Sequence, residues 1–192
     1  MSNEELEQDA ENKRNAKASI GNAITTWAAV EDELCKTFCS ALTVRFDLPA
    51  IAAFFAIRSF EGKLSALEAA ITSLDLPDII LDDWKRIYTA LRTKNKKRNK
   101  IAHCSLLLLP HLDYECRIFP FFSMNTESTE AMASEEPLDT VENRYHNLRP
   151  HDIDNMAESF YQLSIKVREF NTELSRHLSM PSVKRLSLAQ RI

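Results

Sequence analysis

Six of the nine residues from Arg92 to Lys100 are basic, and the run closes on Arg98-Asn99-Lys100-Ile101-Ala102-His103. These residue types suit phosphoryl transfer on a polyanion. A histidine changes charge between about pH 5 and 8, so it can take a proton from a 2′-hydroxyl or give one to a leaving 5′-oxygen. A guanidinium grips phosphate through two parallel hydrogen bonds and stabilises charge as it develops. Lys94, Lys96, Lys97 and Lys100 supply an attraction for a nucleic-acid backbone that does not depend on sequence. Attack by a 2′-hydroxyl needs no metal, and the chain has no H-x-x-x-H pair to suggest one. No metal or cofactor is expected.

The helix that carries this run sets the geometry. With about 100° per residue, Trp84, Ile87, Tyr88 and Leu91 share a face that continues through Asn95, Arg98 and Ala102. An inward stripe that turns from leucine to asparagine and arginine borders a polar cavity or interface, because an unpaired charge in a dry core is too costly. Asn99 and His103 lie about 40° apart and share a face, whereas Arg98 and His103 lie about 140° apart. A second copy of the motif facing the first would bring the two types together. The competing reading is structural: His103 closes the helix end, where the dipole favours its charge, and Arg98 pairs with Glu31 or Asp83.

The elements that must hold the run are helical. The 192 residues contain two glycines, too few for phosphate-cradling loops or a sheet-rich fold that relies on positive φ. The net charge of −4 is mild, and its distribution matters more: the basic run is followed by an acidic stretch from Asn125 to Glu142. Residues 1–19 are polar, and no apolar run is long enough to span a bilayer, so a soluble, cytoplasmic protein without a membrane partner is expected. Cys35, Cys39, Cys104 and Cys116 include no C-x-x-C pair. A four-ligand zinc site is compatible with their spacing, but reduced, partly buried thiols are the favoured expectation.

In chain order, residues 1–17 read as a flexible lead-in. Ile20, Ile24, Trp27, Leu34, Phe38 and Leu42 then recur at helical spacing, with Glu31 inside the stripe. That carboxylate needs a cation or donors, as a brace or as polar support for the cavity alongside Asn95. Asp47-Leu48-Pro49 starts a short apolar helix, Ser59 caps the next, in which Lys63 borders the core, and Leu76-Pro77-Asp78 opens the helix that ends near His103. Residues 105–122 read as an inserted β-hairpin, with Pro120 at an edge or strand end, and 123–150 as an acidic loop. Asp152 is placed to cap a final helix whose seam runs through Ile153, Met156, Phe160, Leu163, Val167, Phe170, Leu174 and His177. Residues 180–192 form a tail that carries Val183, Leu186, Leu188 and Ile192.

The R-x4-H step Arg98 to His103, with a polar residue after the arginine and Ile101-Ala102 before the histidine, resembles the signature of HEPN-domain proteins. A Trp-x-x-x-Glu step (Trp27, Glu31) on an early helix and a long helix after the motif are similar too. Cys104 follows the histidine where the family more often has glycine, and the hairpin with its acidic loop is an addition.

The resemblance implies an all-α, HEPN-like bundle of four to five helices over residues 18–179, usually a homodimer whose two motifs meet at the interface. It implies a metal-independent endoribonuclease of a toxin–antitoxin or phage-defence type, with Arg98, His103 and Asn99 catalytic, and an antitoxin or effector protein as a further partner. Other members are non-catalytic dimerisation or RNA- or protein-binding modules. A helical adaptor that docks a partner on the hairpin or acidic loop is a third reading.

Overall fold

The computed structural model describes residues 3–42, 48–109, 115–120 and 148–179. Its fold class is all-α. Among those residues are five helices, α1 (Asn3–Ala41), α2 (Leu48–Ala56), α3 (Phe60–Thr72), α4 (Asp78–Ala102) and α5 (Pro150–Ser179), and two strands, β1 (Cys104–Leu109) and β2 (Glu115–Pro120). No helix among them is long and apolar enough to cross a membrane. The chain divides into two compact units, one of residues 1–27 and 96–159 and the other of 28–95 and 160–192.

In the first unit α1 begins at Asn3, well before the apolar periodicity does, so the expected lead-in is helical from residue 3 onward. Its first turns are rich in Glu, Gln, Ala, Lys and Arg, which favour helix without an apolar face. Lys13 Nζ meets Asp9 Oδ2 at 3.1 Å and Gln8 Nε2 donates to Asn12 Oδ1 at 3.1 Å, i,i+4 pairs that add a few tenths of a kcal/mol each. The buried positions of this stretch are Ala16, Ser19, Ala23 and Trp27. The expected Ile20–Ile24 stripe is displaced, with Ile24 exposed, because small side chains line the inner face here.

β1 and β2 pair antiparallel, Cys104 opposite Pro120 and Leu108 opposite Cys116. Cys104 and Cys116 are therefore not cross-strand partners, and Pro120 ends its strand, where a missing N–H costs least. The connection 110–114 lies outside the described residues, as does 121–147 of the acidic stretch. The start of α5 also falls in this unit. Pro150 takes the first helical position, and Asp152 Oδ2 accepts from the Arg149 backbone N–H at 2.9 Å. Asp152 thus reaches back from inside the helix, as one half of a capping box does, and does not precede it as a cap.

In the second unit the helices are tied in a closed sequence of pairs. Glu31 of α1 meets Lys63 of α3 at 2.5 Å, and Glu68 of α3 accepts from the Trp84 indole of α4. The Trp84 ring packs on that of Phe170 of α5, with 5.4 Å between centroids. Arg168 of α5 then returns to Glu33 of α1 at 3.1 Å. Leu34, Leu64, Leu67, Ile71, Leu91 and Leu174, all 0% exposed, belong to this unit's core. Ser59 caps α3 by accepting from Gly62 N–H at 3.0 Å. Gly62 is needed there, since a Cβ would come within 2.9 Å of both Ile57 Cγ2 and Ser59 Oγ.

One polar group in this core lacks compensation. His177 is 5% exposed, and its Nε2 has no hydrogen-bond partner among the described residues. An unsatisfied buried group costs about 1–3 kcal/mol. His177→Leu, of similar bulk, is therefore expected to raise stability by about 1 kcal/mol. Urea unfolding followed by circular dichroism would show this as a higher midpoint with unchanged slope, and a lower midpoint would contradict it.

Candidate functional site

Lys96, Lys97, Arg98, Asn99, Lys100 and His103 belong to the first unit and occupy the last turns and the end of α4. Lys96, Lys97, Asn99, Lys100 and His103 are all exposed, and Arg98 is half-buried. The apolar inner position of this stretch is Ile101, 1% exposed. Ala102, expected on the inward face, is exposed: the buried face turns toward Ile101 in the last turn, where the larger aliphatic side chain gains more from burial.

Arg98 is positioned by an aromatic platform. Its Cζ lies 5.5 Å from the centroid of the Trp27 ring, and Trp27 is 2% exposed. A guanidinium over an indole face gains about 0.5–2 kcal/mol and keeps its planar fork in a restricted orientation. His103 is the first residue beyond α4, and its backbone N–H still donates to Asn99 O at 3.2 Å. That bond places the imidazole at the C-terminal end of the helix, where carbonyls point outward and positive charge is favoured. Because His103 stands outside the regular helix, its direction relative to Arg98 is not set by the helical azimuth. The exposed cations and the imidazole form a basic end of one helix, suited to contact with phosphates.

The remaining expected residues fall in the second unit. Asn95 is 4% exposed and its Nδ2 donates to Glu61 Oε1 at 3.4 Å. Glu61 Oε2 also meets Arg92 Nε at 3.5 Å, a pair more than half exposed on both sides and therefore of small energetic weight. Lys94 is half-buried. Glu31 pairs with Lys63, whose Nζ also lies 4.8 Å from the Phe55 ring centroid and 5.4 Å from that of Phe54. Its local surroundings are thus those of a brace, and Asp83, the other carboxylate considered for Arg98, meets Arg86. Glu61 and the platform role of Trp27 were not foreseen. Inward Asn95 and Arg98 signalled that partners must exist, but nothing in the sequence says which segment supplies them.

Cys35 and Cys39, both 1% exposed, lie one turn apart on α1. Burial pushes the Cys35 thiol up to about 11, and the neighbouring Cys39 thiol adds to the shift. Both features disfavour the thiolate that a metal or an electrophile would need. Burial also raises the Cys104 thiol, and the Cys116 side chain lies outside the described residues. Among the described residues no group of three or more His, Cys, Asp or Glu side chains could hold a metal ion.

A separate groove of about 550 Å³ in the second unit lies between α4 and α5, over Ile80, Ile87 and Phe170 and rimmed by Arg86, Lys166 and Glu169. It contains none of the motif residues. No protein-family model matches the chain, and neither a curated protein nor a solved structure was found to be similar to it.

Proposed function

We propose that the chain is a HEPN-like, metal-independent endoribonuclease, of the kind found in bacterial toxin–antitoxin or phage-defence systems, acting as a homodimer with a composite site. The observation that carries this reading is the end of α4. There Arg98 is held against Trp27, while His103 is exposed just past the helix with Lys96, Lys97 and Lys100 around it on the chain.

In the proposed reaction His103 takes the proton of a ribose 2′-hydroxyl, and the oxygen attacks the adjacent phosphorus. The bond to the 5′-oxygen breaks, and that oxygen receives a proton from a histidinium, for which a second copy of the motif is the source. Arg98 holds the non-bridging oxygens as charge builds on them, and Asn99, exposed on the same segment, orients the phosphate. The products are a 2′,3′-cyclic phosphate and a 5′-hydroxyl. An antitoxin or effector protein is the further partner that such a system implies.

The test is incubation of purified protein with single-stranded RNA in excess EDTA. Cleavage is expected there and not with DNA of the same sequence, which lacks the 2′-hydroxyl. Lys96→Ala with Lys97→Ala is expected to weaken RNA binding and lower the slope of log affinity against log salt by about 0.7 for each phosphate no longer neutralised, with turnover of bound RNA little changed. Binding by the double variant that equals wild type at all salt concentrations would remove these lysines from the interface. The second reading, a non-catalytic HEPN-like module, is favoured by the same Trp27 stack, which engages Arg98 in structure. It predicts salt-sensitive binding without cleavage.

A further inference from the structure

The groove between α4 and α5 in the second unit has no part in the reaction above. It holds none of the motif residues, and its volume is about 550 Å³. Sites that enclose small ligands fall between about 300 and 1,000 Å³. Its floor is apolar and firmly backed. Ile80 and Phe170 are 6% and 5% exposed, and the Phe170 ring rests on Trp84, itself 1% exposed, whose indole donates to Glu68. Ile79, 61% exposed, stands at the edge as an uncovered aliphatic wall.

The rim carries charge of both signs, and most of it is already neutralised. Asp83 meets Arg86 and Glu173 meets Arg176, each pair within one helix. That leaves Lys166 and Glu169, both exposed on α5, and neither has an ion pair or hydrogen bond among the described residues. Three residues apart, they are neighbours on the helix surface, with about 5–6 Å between Cβ atoms. A free cation and a free anion this close, beside an apolar floor, complement a molecule that carries a carboxylate and an ammonium together on an apolar body.

We propose that the groove binds an apolar α-amino acid, with its carboxylate on Lys166, its ammonium on Glu169 and its side chain over Ile80, Ile87 and Phe170. Other occupants fit less well. The lined stretch covers Ile79 to Ile87 on α4 and Lys166 to Glu173 on α5, about 12 Å and about 11 Å at 1.5 Å per residue. That is about two turns of a partner helix, short of the roughly 800 Å² that each side of a stable protein interface contributes. A phosphate of a nucleic acid or a lipid headgroup would place its charge beside Glu169, a repulsion that an ammonium on the same ligand removes.

The experiment is calorimetric titration of the full-length protein with L-leucine and with its two halves, isocaproate, which lacks the ammonium, and isoamylamine, which lacks the carboxylate. One L-leucine per chain is expected to bind, about fivefold more tightly than either half, the upper end for one exposed ion pair. Glu169→Gln is expected to bring L-leucine down to the affinity of isocaproate and to leave isocaproate itself unchanged. Lys166→Gln is expected to do the same relative to isoamylamine. Both side chains are exposed, so neither change threatens the fold. Neither heat nor a rise in melting temperature with L-leucine at about 10 mM, where a millimolar site is nearly full, would overturn the proposal. Isocaproate that binds as tightly as L-leucine would overturn it in favour of an anion site, and L-leucine affinity unaltered in both variants would overturn it by placing the contact elsewhere. None of these outcomes depends on whether RNA is cleaved.

Discussion

His103→Ala is expected to lower RNA cleavage by about 10²–10⁴-fold, the range for removal of a positioned proton-transfer group. Arg98→Ala is expected to lower it by about 10²–10³-fold, as when a donor to developing charge is removed. The two should differ in how they fail. His103 is exposed, so on the proposed reading its alanine variant is expected to keep wild-type stability and RNA affinity and to lose turnover. Arg98 also covers the Trp27 ring, so its alanine variant loses about 0.5–2 kcal/mol of local packing in addition. Arg98→Lys retains the charge without the planar fork and should recover little activity. Single-turnover rates at saturating RNA, with thermal melts of each variant, separate these effects. Cleavage that survives in both alanine variants would move the chemistry elsewhere.

Glu31→Ala is expected to destabilise the second unit by about 3 kcal/mol, the low end of the cost of breaking a mostly buried ion pair from one side. The Lys63 side chain is 9% exposed and the Glu31 side chain 20%, so removal of the carboxylate leaves an ammonium with little access to water. Replacing both, Glu31→Leu with Lys63→Met, is expected to restore most of the stability, because apolar residues of similar volume often serve as well as a buried pair. Chemical denaturation of the three proteins checks this. The same set tests function: if Glu31 is a brace only, the double variant cleaves RNA at the wild-type rate, whereas loss of activity in a well-folded double variant would return Glu31 to the site.

What could be read from the sequence follows from how much each segment relies on apolar periodicity. The seam of α5 was legible because Ile153, Phe160, Leu163, Val167, Phe170 and Leu174 hold one face through the helix, and all are buried. The beginning of α1 was not, since Asn3 to Lys17 is helical through propensity and i,i+4 pairs. Ile24 misled because the inner face at that level uses Ala23 and Ser19. The inward turn of Asn95 was legible from its azimuth, and it is buried. Its partner Glu61 was not, because a hydrogen bond between residues 34 apart leaves no periodic trace in either segment. The strand register likewise depends on a connection whose length and turn type set the pairing, and the cysteine spacing carried no information about it.

The most direct measurement of the central claim is the chemistry of the ends left on cut RNA. A short single-stranded oligonucleotide is digested in excess EDTA and the fragments are weighed by mass spectrometry. Proton transfer by His103 with phosphate held by Arg98 predicts 2′,3′-cyclic phosphate on the upstream fragment and a 5′-hydroxyl on the downstream one, and intact oligonucleotide with His103→Ala. Fragments with 3′-hydroxyl and 5′-phosphate ends, or cutting only after a divalent metal is added, would contradict it.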